Sequence, residues 1–440
     1  MLHPEADQVD DDPIAALVAG RYVDRSTSQP ARIATRSIVI EESLAGREAD
    51  LVAALGMGKR IGVVSDKDTH TVLGARIESA LAGRFEVASI SLPAAPHADD
   101  DNVARIRAAS ASLDALIAVG SGTINDLAKY ASALDGKPYA VFGTAPSMNG
   151  YTSLTASISQ HGHKLTLPAH APLGAFFDLS VLAAAPKRMI RAGVGDSICR
   201  ATAQTDWLLS HLLLGTSYSD LPFDLLADEE PQLLDVAADL VAGSRDAMRI
   251  LVRTLILSGL GTAIVGSSAP ASQAEHLISH YIDMLAPVTR PSVFHGEQVG
   301  VTTLSAARLQ EEMLASPPRF APNSVSEAEL VAHFGKDLAD SVAPEIAAKA
   351  IDSVKADELN HRIERDWPAI ASRLAAIHLS PSRIEAVLHA TGAPLTPGAI
   401  HLERDFYEAA ILHAREIRNR FTVLDVLASG GRLAKLIPTV

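Results

Sequence analysis

The strongest constraint on this chain is a change of rhythm near residue 183. From about 36 to 182, short β-rich runs alternate with amphipathic helical stretches. Strands read at 37–40, 60–64 (RIGVV), 85–92, 113–119 (LDALIAV), 138–142 (PYAVF) and 175–178. A hairpin reads over 153–159 and 164–167, turning at 160–163. Helices read up to 55 and over 69–82, 99–112 and 124–134. Strand alternating with helix calls for a parallel sheet with helices on both faces. After about 183 the strand signals stop. Ala-, Leu- and Arg-rich helical segments then run to the end, broken by Gly, Pro and Ser near 215–222, 266–271, 286–293, 316–325 and 393–397. The expected fold is an α/β N-terminal domain over 36–183 with a Rossmann-like parallel sheet, and an all-α C-terminal domain over 184–440. A polar, flexible segment, 1–35, precedes them.

Composition narrows the partners. The 440 residues carry 38 basic and 52 acidic side chains, a net charge of −14. That field repels nucleic acid and anionic membranes, so neither is an expected partner. A transmembrane helix needs about 20 predominantly apolar residues. The long uncharged runs, such as 254–274, are instead rich in Gly, Ser and Pro. No membrane insertion is expected. The start, MLHPEADQVDDDP, has neither a basic nor an apolar stretch, so no secretory or mitochondrial signal is expected. With one cysteine, Cys199, no intrachain disulfide forms, which fits a reducing cytoplasm. Cys199 lies three residues after Asp196, but a free cysteine on a helix is most often a small buried apolar residue.

Six short segments can carry chemistry. Gly120, Ser121 and Gly122 follow a strand and open a helix that includes Asp126. Small residues there let backbone N–H groups approach a pyrophosphate, although bare Gly-rich turns look the same. Residues 143–153 (GTAPSMNGYTS) follow the next strand, where ligands bind in open α/β sheets. They include Thr144, Ser147, Asn149 and Ser153, and otherwise read as an ordinary loop. Asp66 ends the strand RIGVV and can bind a nucleotide ribose or simply cap a helix. Asp196 opens a helix, where an N-cap is the plain alternative to a metal ligand. His276 and His280 share one helix face at i, i+4, a metal spacing that packed histidine pairs also show. His295 precedes Gly296 at another helix start. Taken together, Asp196, His276 and His295 supply one carboxylate and two imidazoles from three helices. Such a set leaves an open position for catalysis on a divalent ion.

In their order, GSGTIND, GTAPSMNGYTS, AGVGD, SQAEHLISH and HGEQVG resemble the iron-containing alcohol dehydrogenase and glycerol dehydrogenase superfamily. The likeness is strongest to its glycerol-1-phosphate dehydrogenase group, in particular the bacterial AraM-like branch. Asp206-Trp207 and the late RFTVLDVLASGG (420–431) point the same way, and the resemblance covers the chain from about 36 onward. It implies a dehydroquinate synthase-like architecture, with a nucleotide-binding domain, a helical metal-binding domain and an active site between them. Asp196, His276 and His295 match the metal-ligand positions. Gly120, Ser121, Gly122 and Asp126 match the pyrophosphate turn, and Asp66 matches the adenosine-ribose position. Thr144 and Ser147, with Ser153 in the same loop, match positions on the nicotinamide side. The implied reaction is NAD- or NADP-linked reduction of dihydroxyacetone phosphate to sn-glycerol 1-phosphate. A zinc, nickel or iron ion would assist, in a homodimer. His280 is the candidate proton carrier, and Lys164 and Arg290 are candidates for the substrate phosphate. One departure stands out: Asn149 occupies a substrate-facing position where the group usually has Asp. Three other readings share these motifs: a glycerol or other polyol dehydrogenase, a dehydroquinate-synthase-like lyase, and a degenerate non-catalytic binding protein. A Glu in place of Asp196 would favour the lyase, and the intact ligand set argues against a degenerate site.

Overall fold

In the computed structural model, residues 12–160, 163–287 and 289–439 are described. The chain divides into two compact units, 1–185 with 219–232 and 248–266, and 186–218 with 233–247 and 267–440. Two segments that the sequence reading put in the helical part, 219–232 and 248–266, therefore belong with the α/β unit. Side-chain pairs explain the return. Arg253 binds Glu229 at 2.6 Å and Asp12 at 2.7 Å, and Arg249 binds Glu42 at 2.8 Å.

The first unit is built on β1 (Ser37–Glu41), β2 (Arg60–Asp66), β3 (Glu86–Leu92), β4 (Ala115–Gly120), β5 (Tyr139–Gly143), β6 (Thr155–Gln160), β7 (His163–Pro168) and β8 (Gly174–Asp178). Six of them form a parallel sheet in the order β1-β8-β5-β4-β2-β3, while β6 and β7 make a separate antiparallel hairpin. Strands β4, β5 and β8 are buried along their whole length. Both sheet faces are covered there, which is why those strands read as unbroken apolar runs. Ile61, Val63, Ile117, Val119, Ala140, Phe142 and Phe176 share one core cluster. Burying Phe142 and Phe176 contributes about 2–3 kcal/mol each.

Chain order β2, β3, β4, β5 maps onto sheet order β3-β2-β4-β5. The direction of winding thus reverses between β2 and β4, and in such sheets ligands collect at the carboxyl ends at that reversal. The helix expected over 69–82 forms, but with a π turn at His70–Gly74 inside it. Residues 12–35, expected to be flexible, carry a helix, Pro13–Val18, that buries Ile14, Ala16 and Leu17. Three apolar side chains in one short turn outweigh the polar surroundings.

Helices used below are α1 (Gly122–Leu134), α2 (Lys187–Ile198), α3 (Arg200–Leu214), α4 (Arg245–Val265), α5 (Ala274–Leu285), α6 (His295–Leu314) and α7 (Val423–Ser429). The second unit is helical, with no β-strand among its described residues. Its core gathers Leu208, Leu209, Ile278, Ile282, Leu309, Met313, Phe320, Trp367 and Phe421. By length and composition α4 is apolar enough to cross a membrane, yet 61% of its most apolar stretch is buried inside the fold.

Candidate metal centre and nucleotide cradle

Asp196 lies near the end of α2, His276 in the first turn of α5, and His295 at the first position of α6. One ligand atom from each lies within 4.8 Å of the others. His295 Nε2 is 3.3 Å from His276 Nε2 and 3.7 Å from Asp196 Oδ1. Asp196 is thus inside a helix rather than at its cap, because α2 begins nine residues before it.

Glycine brings two of these ligands together. A Cβ on Gly296 would stand 1.8 Å from the carbonyl oxygen of Ala192, and one on Gly195 would stand 2.0 Å from that of Gly296. α2 and α6 therefore touch backbone to backbone at the residues next to Asp196 and His295. Arg188 fixes the start of α6, reaching Glu297 through two hydrogen bonds of 2.7 and 2.8 Å. Glu297 in turn accepts from the Phe294 N–H at 2.9 Å.

His280, one turn beyond His276, stands beside the cluster, with ring centroids 5.9 Å from His276 and 6.3 Å from His295. Glu275 is buried behind His276, its Oε1 3.0 Å from Nδ1. Nearby, the Asp206 carboxylate receives the N–H of Ala274 at 3.3 Å and that of Val423 at 3.0 Å, joining the starts of α5 and α7. Burial, and then the charge of Glu275, push the Asp206 carboxyl up to about 8. Arg290, a candidate for substrate phosphate, is held by Gln298 Oε1 at 2.8 Å and the Ile400 carbonyl at 3.0 Å. The side chain of Lys164 lies outside the described residues.

The donor set fits a divalent ion. One carboxylate and two imidazoles converge at ligand-to-ligand distances, and oxygen with imidazole nitrogen suits zinc, nickel or iron.

In the α/β unit, Asp66, Gly120 and Gly143 end three adjacent parallel strands, β2, β4 and β5. Gly120, Ser121, Gly122 and Thr144 are brought together there, and Thr144 N–H donates to the Gly120 carbonyl at 3.1 Å. Ser121 sits at the N-cap of α1 but makes no side-chain cap bond among the described residues. The first N–H groups of α1 therefore receive no bond from the Ser121 side chain, at the positive end of a 13-residue helix. At Gly122 the space for a Cβ is bounded by Met148 Sδ at 3.1 Å. Asp66 caps the following helix, its Oδ1 2.8 Å from the Thr69 N–H.

Three expected cofactor or substrate positions serve the fold. Asp126 receives the Ser157 N–H at 3.0 Å and lies 3.7 Å from the Lys129 ammonium. Ser153 accepts from Lys129 at 3.1 Å and donates within its own loop, to Gly150 and Thr155 carbonyls at 3.0 Å. Asn149 donates to Ser258 Oγ at 3.2 Å, and a Cβ on Gly259 would stand 2.4 Å from the Asn149 carbonyl. Ser147 remains at the half-buried rim of the loop, beside the hydroxyl of Tyr151.

Sequence reading missed two residues. Lys129 is fully buried, and its ammonium is received by the carbonyls of Gly150 at 2.6 Å and Thr155 at 3.0 Å. Burial lowers its pKa, an effect opposed by Asp126. Its signal was a lysine among the apolar residues of GTINDLAKYASAL. Glu275 stood in plain view beside His276, its signal a carboxylate in the first turn of a helix directly before a histidine.

A family model described as iron-containing alcohol dehydrogenase matches residues 39–186. A glycerol-1-phosphate dehydrogenase [NAD(P)+] of Pyrococcus horikoshii is 34% identical over 275 residues, 62% of this chain and 78% of that one. The Bacillus licheniformis protein of the same name is 28% identical over 411 residues, 92% of each chain. A probable glycerol dehydrogenase from Sinorhizobium meliloti has the same fold, with a TM-score of 0.59 at 18% identity, over 92% of this chain and 98% of that one.

Proposed function

The chain belongs to the iron-containing alcohol dehydrogenase superfamily, where it groups with the glycerol-1-phosphate dehydrogenases; from that premise we propose that it interconverts dihydroxyacetone phosphate and sn-glycerol 1-phosphate. It is an oxidoreductase that uses a nicotinamide nucleotide. The observation that carries the reading is the convergence of Asp196, His276 and His295.

These three residues hold the ion, which we take to be zinc, nickel or iron. Once bound, the ion supplies Lewis acidity at the substrate oxygen and the nicotinamide supplies or accepts hydride. The chain's own groups do the rest. The N–H groups that open α1 hold the pyrophosphate, with Gly122 keeping the approach uncrowded. The missing side chain of Gly120 lets Ile124 of α1 pack against the strand end, where a Cβ would stand 2.5 Å from Ile124 Cβ. Asp66 Oδ1 is committed to Thr69, so Oδ2 is the oxygen left for the adenosine ribose. Its charge opposes a 2′-phosphate, which favours NAD over NADP. His280, half-buried beside both imidazoles, carries the proton between the substrate oxygen and solvent. A buried free thiol at Cys199 suits a reducing cytoplasm. Dimerisation is carried over from the family resemblance.

The deciding assay follows NADH consumption by the metal-loaded protein with dihydroxyacetone phosphate, dihydroxyacetone or glyceraldehyde. Preference for the phosphate ester in kcat/KM by at least tenfold is expected. Equal rates with the unphosphorylated ketone would move the reading to a polyol dehydrogenase.

A further inference from the structure

Building on the metal reading above, we propose that Glu275 is a positioning residue for the metal centre, holding His276 in the tautomer that presents Nε2 to the ion. Glu275 is wholly buried in the first turn of α5. Its Oε1 accepts the Gln273 N–H at 2.7 Å and stands 3.0 Å from His276 Nδ1. Its Oε2 accepts the Thr202 hydroxyl, from α3, at 3.1 Å. A carboxylate so occupied acts as an acceptor, so the proton shared with His276 belongs on Nδ1. The remaining ring lone pair is on Nε2, the atom that lies 3.3 Å from His295 Nε2. An imidazole bonded in this way is fixed in orientation and made a better donor to a metal. The start of α5 also favours the negative charge.

The same bond decides a second question. Cys199 Sγ, Glu275 and His276 also offer three donor types within 4.8 Å. Cys199, however, donates its S–H to the Asp196 carbonyl at 3.1 Å. With the Cys199 thiol protonated and turned to a carbonyl, and His276 Nδ1 turned to Glu275, both atoms are engaged within the fold rather than presented to a shared ion. The buried trio is a hydrogen-bonded support beneath one metal site, not a second site.

The test compares full-length wild type with Glu275→Gln and Glu275→Asp after chelator stripping. It reads three quantities: the Kd for zinc by competition with a chromogenic chelator, the Tm of the stripped protein, and the His276 tautomer by long-range 1H–15N correlation. The amide of Glu275→Gln should raise Kd by about 10–100-fold, while the stripped Tm holds or rises because a buried charge is gone. Glu275→Asp should recover part of the affinity. A merely structural role would instead lower Tm and affinity together. Wild-type affinity in Glu275→Gln, or a proton on Nε2 of His276 in the stripped wild type, would overturn the proposal. The tautomer is read in the wild type, so the test survives a variant that fails to fold. A wild type that binds no divalent ion would remove the metal reading itself.

Discussion

The α/β unit and the helical unit use glycine for opposite ends. At Gly122, where α1 opens, an added Cβ would meet only the flexible end of Met148, at 3.1 Å. At Gly195 and Gly296 there is no room at all, because a second helix already fills the space. On the reading proposed above, the first region would hold the pyrophosphate with main-chain groups, and that grip would be damaged by adding atoms. The second would hold its ion with side chains delivered by three helices, and would fail when one is removed or when the helices are pushed apart.

Deleting a ligand tests this contrast hardest. His276→Ala should lose its bound metal and about 10³-fold in kcat/KM, some 4 kcal/mol. Metal analysis alongside kinetics checks it, and full metal content would remove His276 from the ligand set. Next comes Gly296→Ala. Its methyl meets a carbonyl oxygen at 1.8 Å, and a backbone carbonyl cannot step aside as a side-chain end can. A loss of about 3 kcal/mol in denaturant unfolding is expected, with weaker metal binding. Wild-type stability in that variant would break the claim that the crossing sets the site.

The third test concerns a buried acid of the helical region, the counterpart of the buried Lys129 in the α/β unit. Lys129 ties down a loop and Asp206 joins two helix starts. Burial raises the Asp206 carboxyl, so the folded chain keeps a proton that the unfolded chain releases. Stability from this group therefore falls as pH rises from about 4 to about 8, and levels off above. The lead of wild type over Asp206→Asn should shrink between pH 6 and pH 9, by about 2 kcal/mol; a constant gap in pH-dependent melts would contradict it. Smallest is Gly122→Ala. Its nearest neighbour is the mobile end of Met148, so stability should change by less than about 0.5 kcal/mol. The KM for nucleotide should rise about tenfold, close to 1.4 kcal/mol. An unchanged KM would mean that the α1 turn does not approach the cofactor.

Much of the fold was legible because its signals are local. The run LDALIAV becomes β4 and PYAVF becomes β5, each within two residues of the expected limits. Their continuous apolar character already announced a sheet covered on both faces. Segments 219–232 and 248–266 were not placed correctly, because an amphipathic stripe shows that a helix buries one face but not against which core. The proposed metal ligands were legible as residues and only weakly as a cluster, since each alone reads as a cap or a packed histidine. Asp126 and Ser153 show the converse limit. Both were expected to face the cofactor, but a polar side chain can turn inward, and both bond within the fold.

Cys199 makes the helical unit its own reporter. As the chain's sole thiol it gives a reagent one address, and as a fully buried one it hides that address until the structure opens. The rate of its modification then measures how often the ground beneath Asp196 and His276 gives way. An ion bound above should slow that clock in proportion to its hold on the folded form.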